Sequence, residues 1–208
     1  MWYAALIAAL TGYLLGNLNG AVCVSALVAH DDVRKHGSGN AGLTNFIRNY
    51  GAANGLFVVL IDGLKAVLAC LAGGLILEPY GFGREGMALS GLAVMLGHVF
   101  PALLGFKGGK GILSGLFIAL TIDWRVALLI LLVFAAAYGL TQYVSLGSVL
   151  AAAAFGIGFV LFHHGQPIVM VCGIAMSTLA IYMHRDNIRR LLKGQERKTN
   201  LFAKGDPK

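Results

Sequence analysis

The feature that most constrains this chain is a succession of long apolar runs with only short polar turns between them. Seven such runs can be read along the sequence, at roughly 2 to 28, 53 to 77, 86 to 104, 111 to 122, 124 to 142, 146 to 163 and 166 to 184. A helix needs about 20 largely apolar residues to cross the hydrocarbon core of a bilayer, where only helices and closed barrels satisfy their own backbone. The runs predict an all-α integral membrane protein, a compact bundle of seven transmembrane helices. The turns leave no room for a soluble domain, so residues 1–208 read as one polytopic membrane domain ending in a basic tail. With 12% charged residues, the chain is far from the roughly 25% of soluble domains. The fourth run is short for a span, which suits a tilted helix or a piece buried in protein.

Charge then sets the orientation. A formal net charge of +7 would suit a nucleic-acid partner, but its distribution points to membrane topology instead, and no nucleic-acid partner is expected. With seven spans and the N-terminus outside, the inner regions hold Arg34, Lys35, Arg48, Lys107, Lys110, Arg185, Arg189, Arg190, Lys193, Arg197, Lys198, Lys204 and Lys208, which is 13 of the 16 Lys and Arg. The outer turns hold Arg84 and Arg125, and Lys65 falls inside the second run. Cytoplasmic turns carry the excess of basic residues, so the prediction is N-terminus outside and C-terminus cytoplasmic. Cys23, Cys70 and Cys172 lie in apolar runs at unrelated spacings and read as small core residues. The opening Met1-Trp2-Tyr3-Ala4-Ala5 lacks the basic start of a secretory signal and reads as part of a retained helix.

This orientation collects the chemically richest turns on one face. In the turn from His36 to Gly51, Gly37, Gly39 and Gly42 let backbone N–H groups converge, Ser38, Asn40, Thr44 and Asn45 add short donors and acceptors, and Arg48 adds a planar cation. That composition suits an anion cradle, and it equally suits an ordinary interfacial loop. Lys107-Gly108-Gly109-Lys110-Gly111 puts lysines and bare amides before a helix start, where anions are favoured. It is not a Walker A loop, because Leu104 and Gly111 stand where that pattern needs Gly and Ser or Thr. Lysines at a membrane surface are also ordinary orientation signals or headgroup contacts.

His184 and Asn187 lie three residues apart, on one face if the helix continues. They suit a proton-transferring histidine with an amide to fix its tautomer, or a plain interfacial histidine. Asp62 and Lys65 share a helix face inside the second run and read as a structural salt bridge. Asn17 and Asn19 read as hydrogen-bond donors across helices, and His98 as a packing and capping residue. His163 and His164 lack metal-ligand spacing, and neither a metal nor a cofactor is expected.

Four pieces of chain also carry a family resemblance: GSGNAGLTNFIRNYG at 37 to 51, GHVFPALLGFKGGKG at 97 to 111, YVSLGS at 143 to 148 and HRDNIRRLLKGQE at 184 to 196. In that order they resemble the bacterial acyl-phosphate:glycerol-3-phosphate acyltransferases, the PlsY type. The sequence departs from the family's usual residues at Ala41, at Leu43 and over Ile112 to Ser114. The resemblance implies a seven-helix bundle in the bacterial plasma membrane with its site facing the cytoplasm. It also implies transfer of an acyl group from acyl phosphate to the 1-hydroxyl of glycerol 3-phosphate, giving lysophosphatidic acid and inorganic phosphate.

On that resemblance Ser38, His184 and Asn187 are catalytic candidates. Gly37, Gly39, Asn40, Thr44, Asn45, Arg48, Lys107, Gly108, Gly109, Lys110, Ser145 and Ser148 are substrate-binding candidates. The expected partners are the two substrates, membrane lipid and, in function, the enzyme that makes acyl phosphate. None of the histidines has Asp five residues on, so the signature of thioester-using acyltransferases is absent. A small transporter or flippase for an anionic solute or lipid is the competing expectation; it would place polar groups at mid-membrane on several helices.

Overall fold

The computed structural model describes residues 1–198; Lys204 and Lys208, counted above among the cytoplasmic charges, lie outside the described residues. Among the described residues every regular element is helical. The α-helices are α1 (Trp2–Gly16), α2 (Gly20–Ala29), α3 (Leu43–Tyr50), α4 (Ala52–Leu77), α5 (Gly83–Val99), α6 (Ile112–Ile122), α7 (Trp124–Thr141), α8 (Val144–Phe162), α9 (Pro167–Met183) and α10 (Arg185–Leu192). Five helices or continuous helix pairs are long and apolar enough to cross a membrane, and a sixth appears if α9 and α10, bent by 54°, count as one span. The chain is a multi-pass membrane protein. The fourth predicted run is α6, and at 11 residues it is short, as its sequence indicates.

The first predicted run is broken in the structure. Asn17-Leu18-Asn19 interrupts it, and Asn19 restarts the helix by accepting a hydrogen bond from the Val22 amide at 3.0 Å. Asn17 accepts from the Leu103 amide and Asn19 donates to the Ala41 carbonyl, both at 3.0 Å. The two asparagines therefore cap and tie loops rather than bridging helices as expected. The physical reason is that a side-chain amide competes with helix hydrogen bonds and terminates them.

Small residues let the helices approach closely. A Cβ on Gly16 would come within 2.7 Å of the Gly97 Cα, so α1 and α5 meet backbone to backbone. The main core runs through α4 to α9, with Cys70, Ile118, Phe155, Phe159 and Met176 buried in it. A smaller cluster of Val24, Val33, Phe46 and Val58 sits beneath the glycine-rich loop. Outside, Trp2, Leu75 and Leu140 are each at least three-quarters exposed, as lipid-facing side chains must be.

Candidate active site

The glycine-rich loop is built around Asn45. Its side-chain amide donates to the carbonyls of Val33, His36 and Asn40, each at 3.1 Å, and its Oδ1 accepts from the Ser38 amide at 3.0 Å. With both ends of its side chain occupied, Asn45 shapes the loop. Gly37 and Gly39 adopt φ of +59° and +70°, which only glycine takes cheaply. Ser38 is exposed at the loop tip and Asn40 and Thr44 are half-buried. The loop delivers α3, which starts at Gly42 with no side-chain cap and carries Arg48 in its last turn.

The lysine turn is held against the end of α5. Gly108 and Gly109 donate to the Val99 and His98 carbonyls at 3.2 and 3.1 Å. Arg34, itself paired with Asp32 at 2.8 Å, donates to the Leu104 carbonyl at 2.8 Å and so staples this turn to the chain entering the glycine-rich loop. Lys107 is exposed at its tip. Gly111, at φ +82°, starts α6, again with no side-chain cap.

Beyond the bend at His184, α10 carries Asn187 to the same place. The Lys110 ammonium donates to Asn187 Oδ1. Asn187 Nδ2 donates to Glu196 at 2.9 Å, and Arg190 donates to the other oxygen of Glu196 at 2.6 Å. Glu196 reaches this position because the chain reverses after α10 at Gly194, φ +65°. The returning segment lays Lys198 over the Tyr143 ring, 5.6 Å from its centroid, at the start of α8. There Ser145 and Ser148 are buried.

The four pieces thus share one electrostatic neighbourhood. Burial pushes the Lys110 ammonium down to about 8, with Arg190 and Arg48 adding to the effect and Glu196 and Asp186 opposing it. Burial alone would raise the Glu196 carboxyl, but hydrogen bonds from Arg190 and Asn187 hold it below its usual range. Burial pushes His184 down to about 4 against the opposing bond to Ala180, so the ring is neutral. Its Nδ1 lies 2.7 Å from the Ala180 carbonyl. A carbonyl can only accept, so Nδ1 carries the hydrogen and Nε2 keeps its lone pair.

The expectation that Asn187 fixes the His184 tautomer is corrected by this geometry. The Ala180 carbonyl does so, and the Asn187 amide is committed to Lys110 and Glu196. His98, expected to serve packing and capping, has its Nδ1 2.8 Å from the Lys65 ammonium. Sequence reasoning quoted Glu196 within a motif without giving it a role. The signal for it was Gly194 two residues past α10, a helix-ending glycine that turns the chain back.

An apolar interior opens beside the polar groups. A cavity of about 20 Å³ lies under Gly111, lined by Met95, Gly115, Phe155, Met176 and Ala180. Ser177 links it to a groove of about 310 Å³ between α8 and α9, bordered by Gly156, Ile157, Val160 and Ile174.

The fold defines a polytopic, all-helical membrane protein whose turns gather cations and uncapped helix starts at one end. The comparisons narrow the class. The glycerol-3-phosphate acyltransferase family model matches residues 6–194, and the chain belongs to that family. Glycerol-3-phosphate acyltransferase of Thermoanaerobacter sp. (strain X514) is 36% identical over 93% of this chain and 95% of its own length. The protein of the same name from Mesorhizobium japonicum is 37% identical over 99% of this chain and all of its own length. Among solved structures, the integral membrane glycerol 3-phosphate acyltransferase PlsY (YgiH) in its glycerol 3-phosphate form superposes with a TM-score of 0.85 at 33% identity. That match covers 96% of this chain and 99% of PlsY. The lysophosphatidic acid form of PlsY superposes with a TM-score of 0.81.

Proposed function

We propose that this chain transfers a fatty acyl group from acyl phosphate to the 1-hydroxyl of glycerol 3-phosphate, yielding lysophosphatidic acid and inorganic phosphate. The observation that carries this reading is the link from Lys110 through Asn187 and Glu196 to Arg190, beside Arg48 and an apolar cleft. Family membership, and relatives named for their action on glycerol 3-phosphate, support the acceptor. An acyl phosphate donor suits such a site: it is already a mixed anhydride, so the protein need only neutralise two phosphates, steady an oxyanion and route one proton.

In this reading Arg48, Lys107 and Lys110 bind the phosphates, with the amides of the 37–42 turn and the starts of α6 and α8. Ser38 and Thr44 hold a phosphate or carbonyl oxygen, and Asn40, Gly108, Gly109, Ser145 and Ser148 complete the walls. The acyl chain runs from the cavity under Gly111 into the groove between α8 and α9. His184 Nε2 accepts a hydrogen bond from the attacking hydroxyl and orients it. The departing phosphate, with a second pKa of about 6, is itself a base beside the reacting hydroxyl. The C–O bond to the acceptor therefore forms as the bond to phosphate breaks, and the proton leaves with the phosphate.

The membrane arrangement belongs to the same proposal. Seven spans counting α6, N-terminus outside, place the site at the cytoplasmic face of the bacterial plasma membrane, within reach of the enzyme that makes acyl phosphate. The test is to incubate purified protein with palmitoyl phosphate and glycerol 3-phosphate and follow lysophosphatidate and phosphate together. Equal release of both is expected, with none from a thioester donor. No turnover, alongside uptake of an anionic solute by proteoliposomes, would overturn the proposal in favour of a transporter.

A further inference from the structure

A second polar cluster lies under the site and meets it at Gly109. Asp62 and Lys65 on α4 and His98 on α5 are 1%, 2% and 3% exposed. The Lys65 ammonium is 2.8 Å from Asp62 Oδ1 and 2.8 Å from His98 Nδ1, and it also donates to the Leu18 carbonyl at the break between α1 and α2. Asp62 Oδ1 accepts from the Gly20 amide at 3.0 Å. An ammonium has no lone pair, so His98 Nδ1 must accept; the ring is the neutral form with its hydrogen on Nε2.

The far edge of that ring has a definite neighbour. A Cβ added to Gly109 would collide with His98 Nε2 and come 3.0 Å from the Ala41 carbonyl. The same carbonyl is held by Asn19 at 3.0 Å. The lysine turn, the glycine-rich loop and the α1–α2 break therefore rest on one imidazole and its ion pair. A salt bridge kept only for stability is a poor explanation, because apolar residues of similar volume generally pack as well or better in such a place.

We propose that the Asp62, Lys65 and His98 cluster is a positioning device for glycerol 3-phosphate, with His98 setting the height of Gly109 against Ala41 and so the spacing of the two phosphate-binding turns. The inference rests on the acyltransferase reading and assigns residues that reading leaves out. The cluster acts through Gly109 and does not itself touch substrate.

The test is a double-substitution cycle of His98→Asn and Gly109→Ala, assayed with palmitoyl phosphate. The asparagine Oδ1 keeps a partner for Lys65 but removes the edge facing Gly109. His98→Asn is expected to raise KM for glycerol 3-phosphate about tenfold, with kcat within about threefold. Gly109→Ala alone forces the turn off the ring and raises the same KM further. Combined with His98→Asn the added methyl fills vacated space, so the double variant is expected to be better than Gly109→Ala alone, the non-additivity of residues in contact. Should His98→Asn fail to purify folded, the paired Asp62→Asn, Lys65→Met variant removes both charges together and is expected to raise the same KM. Strictly additive effects, or an unmoved KM in a folded variant beside an active wild type, overturn this proposal alone. An inert wild type overturns it together with the acyltransferase reading.

Discussion

The two ends of the bundle handle the same problem, exposed helix starts, in opposite ways. At the end away from the site, α7 is capped by Asp123, which accepts from the Arg125 amide at 2.9 Å, α5 has Glu85 in its first turn, and α9 opens on Pro167, which has no amide to satisfy. Asp123 also pairs with Arg125 at 2.6 Å and with His163 at 3.2 Å. At the site end α3, α6 and α8 start with neither a side-chain cap nor an acidic residue in the first turn. A helix start leaves amide donors and a partial positive charge. At α5, α7 and α9 the chain answers or avoids that charge itself, whereas at α3, α6 and α8 it supplies neither a cap nor a first-turn carboxylate.

Substitutions that break this contrast should differ in kind as well as size. Lys110→Ala removes the half-buried ammonium at the site end; kcat/KM is expected to fall about 10³-fold, as for loss of a transition-state donor, with the helical circular dichroism unchanged. Asn45→Ala leaves the cations in place but releases the loop that frames them, and misplacement of that order costs about 10²-fold in turnover.

A pH series sharpens the comparison. Lys110 is cationic below about 8, so kcat/KM for glycerol 3-phosphate should fall above that pH, by about tenfold per unit once the ammonium is the minor form. Lys110→Arg should flatten the profile, and an unchanged alkaline limb would show that another group sets it. The smallest effect belongs to the end away from the site. Asp123→Asn weakens a cap and an ion pair worth about 1 kcal/mol and should lower the unfolding midpoint in detergent by a few degrees while leaving turnover alone.

Much of this was legible because it is local. Apolar run length gave the helices, the i, i+3 spacing gave the contact between Asp62 and Lys65, and the polar turns did converge. What the sequence withheld depends on contacts between distant positions. Nothing near His98 says that Lys65 will reach its ring, because that requires α4 and α5 to pack face to face. Asn17 and Asn19 were visible as polar residues in a span, but whether such a pair bridges helices or ends one depends on the loops above, here Leu103 and Ala41. Asn187 was read beside His184 because helix spacing favours it, whereas Lys110, 77 positions away, won its amide.

The brevity of α6 carries a consequence for where its two ends can lie. Eleven residues rise about 16 Å, roughly half of a hydrocarbon layer about 30 Å thick. A helix that short cannot bring both Gly111 and Asp123 to the boundaries of a layer that the 26 residues of α4 are long enough to cross.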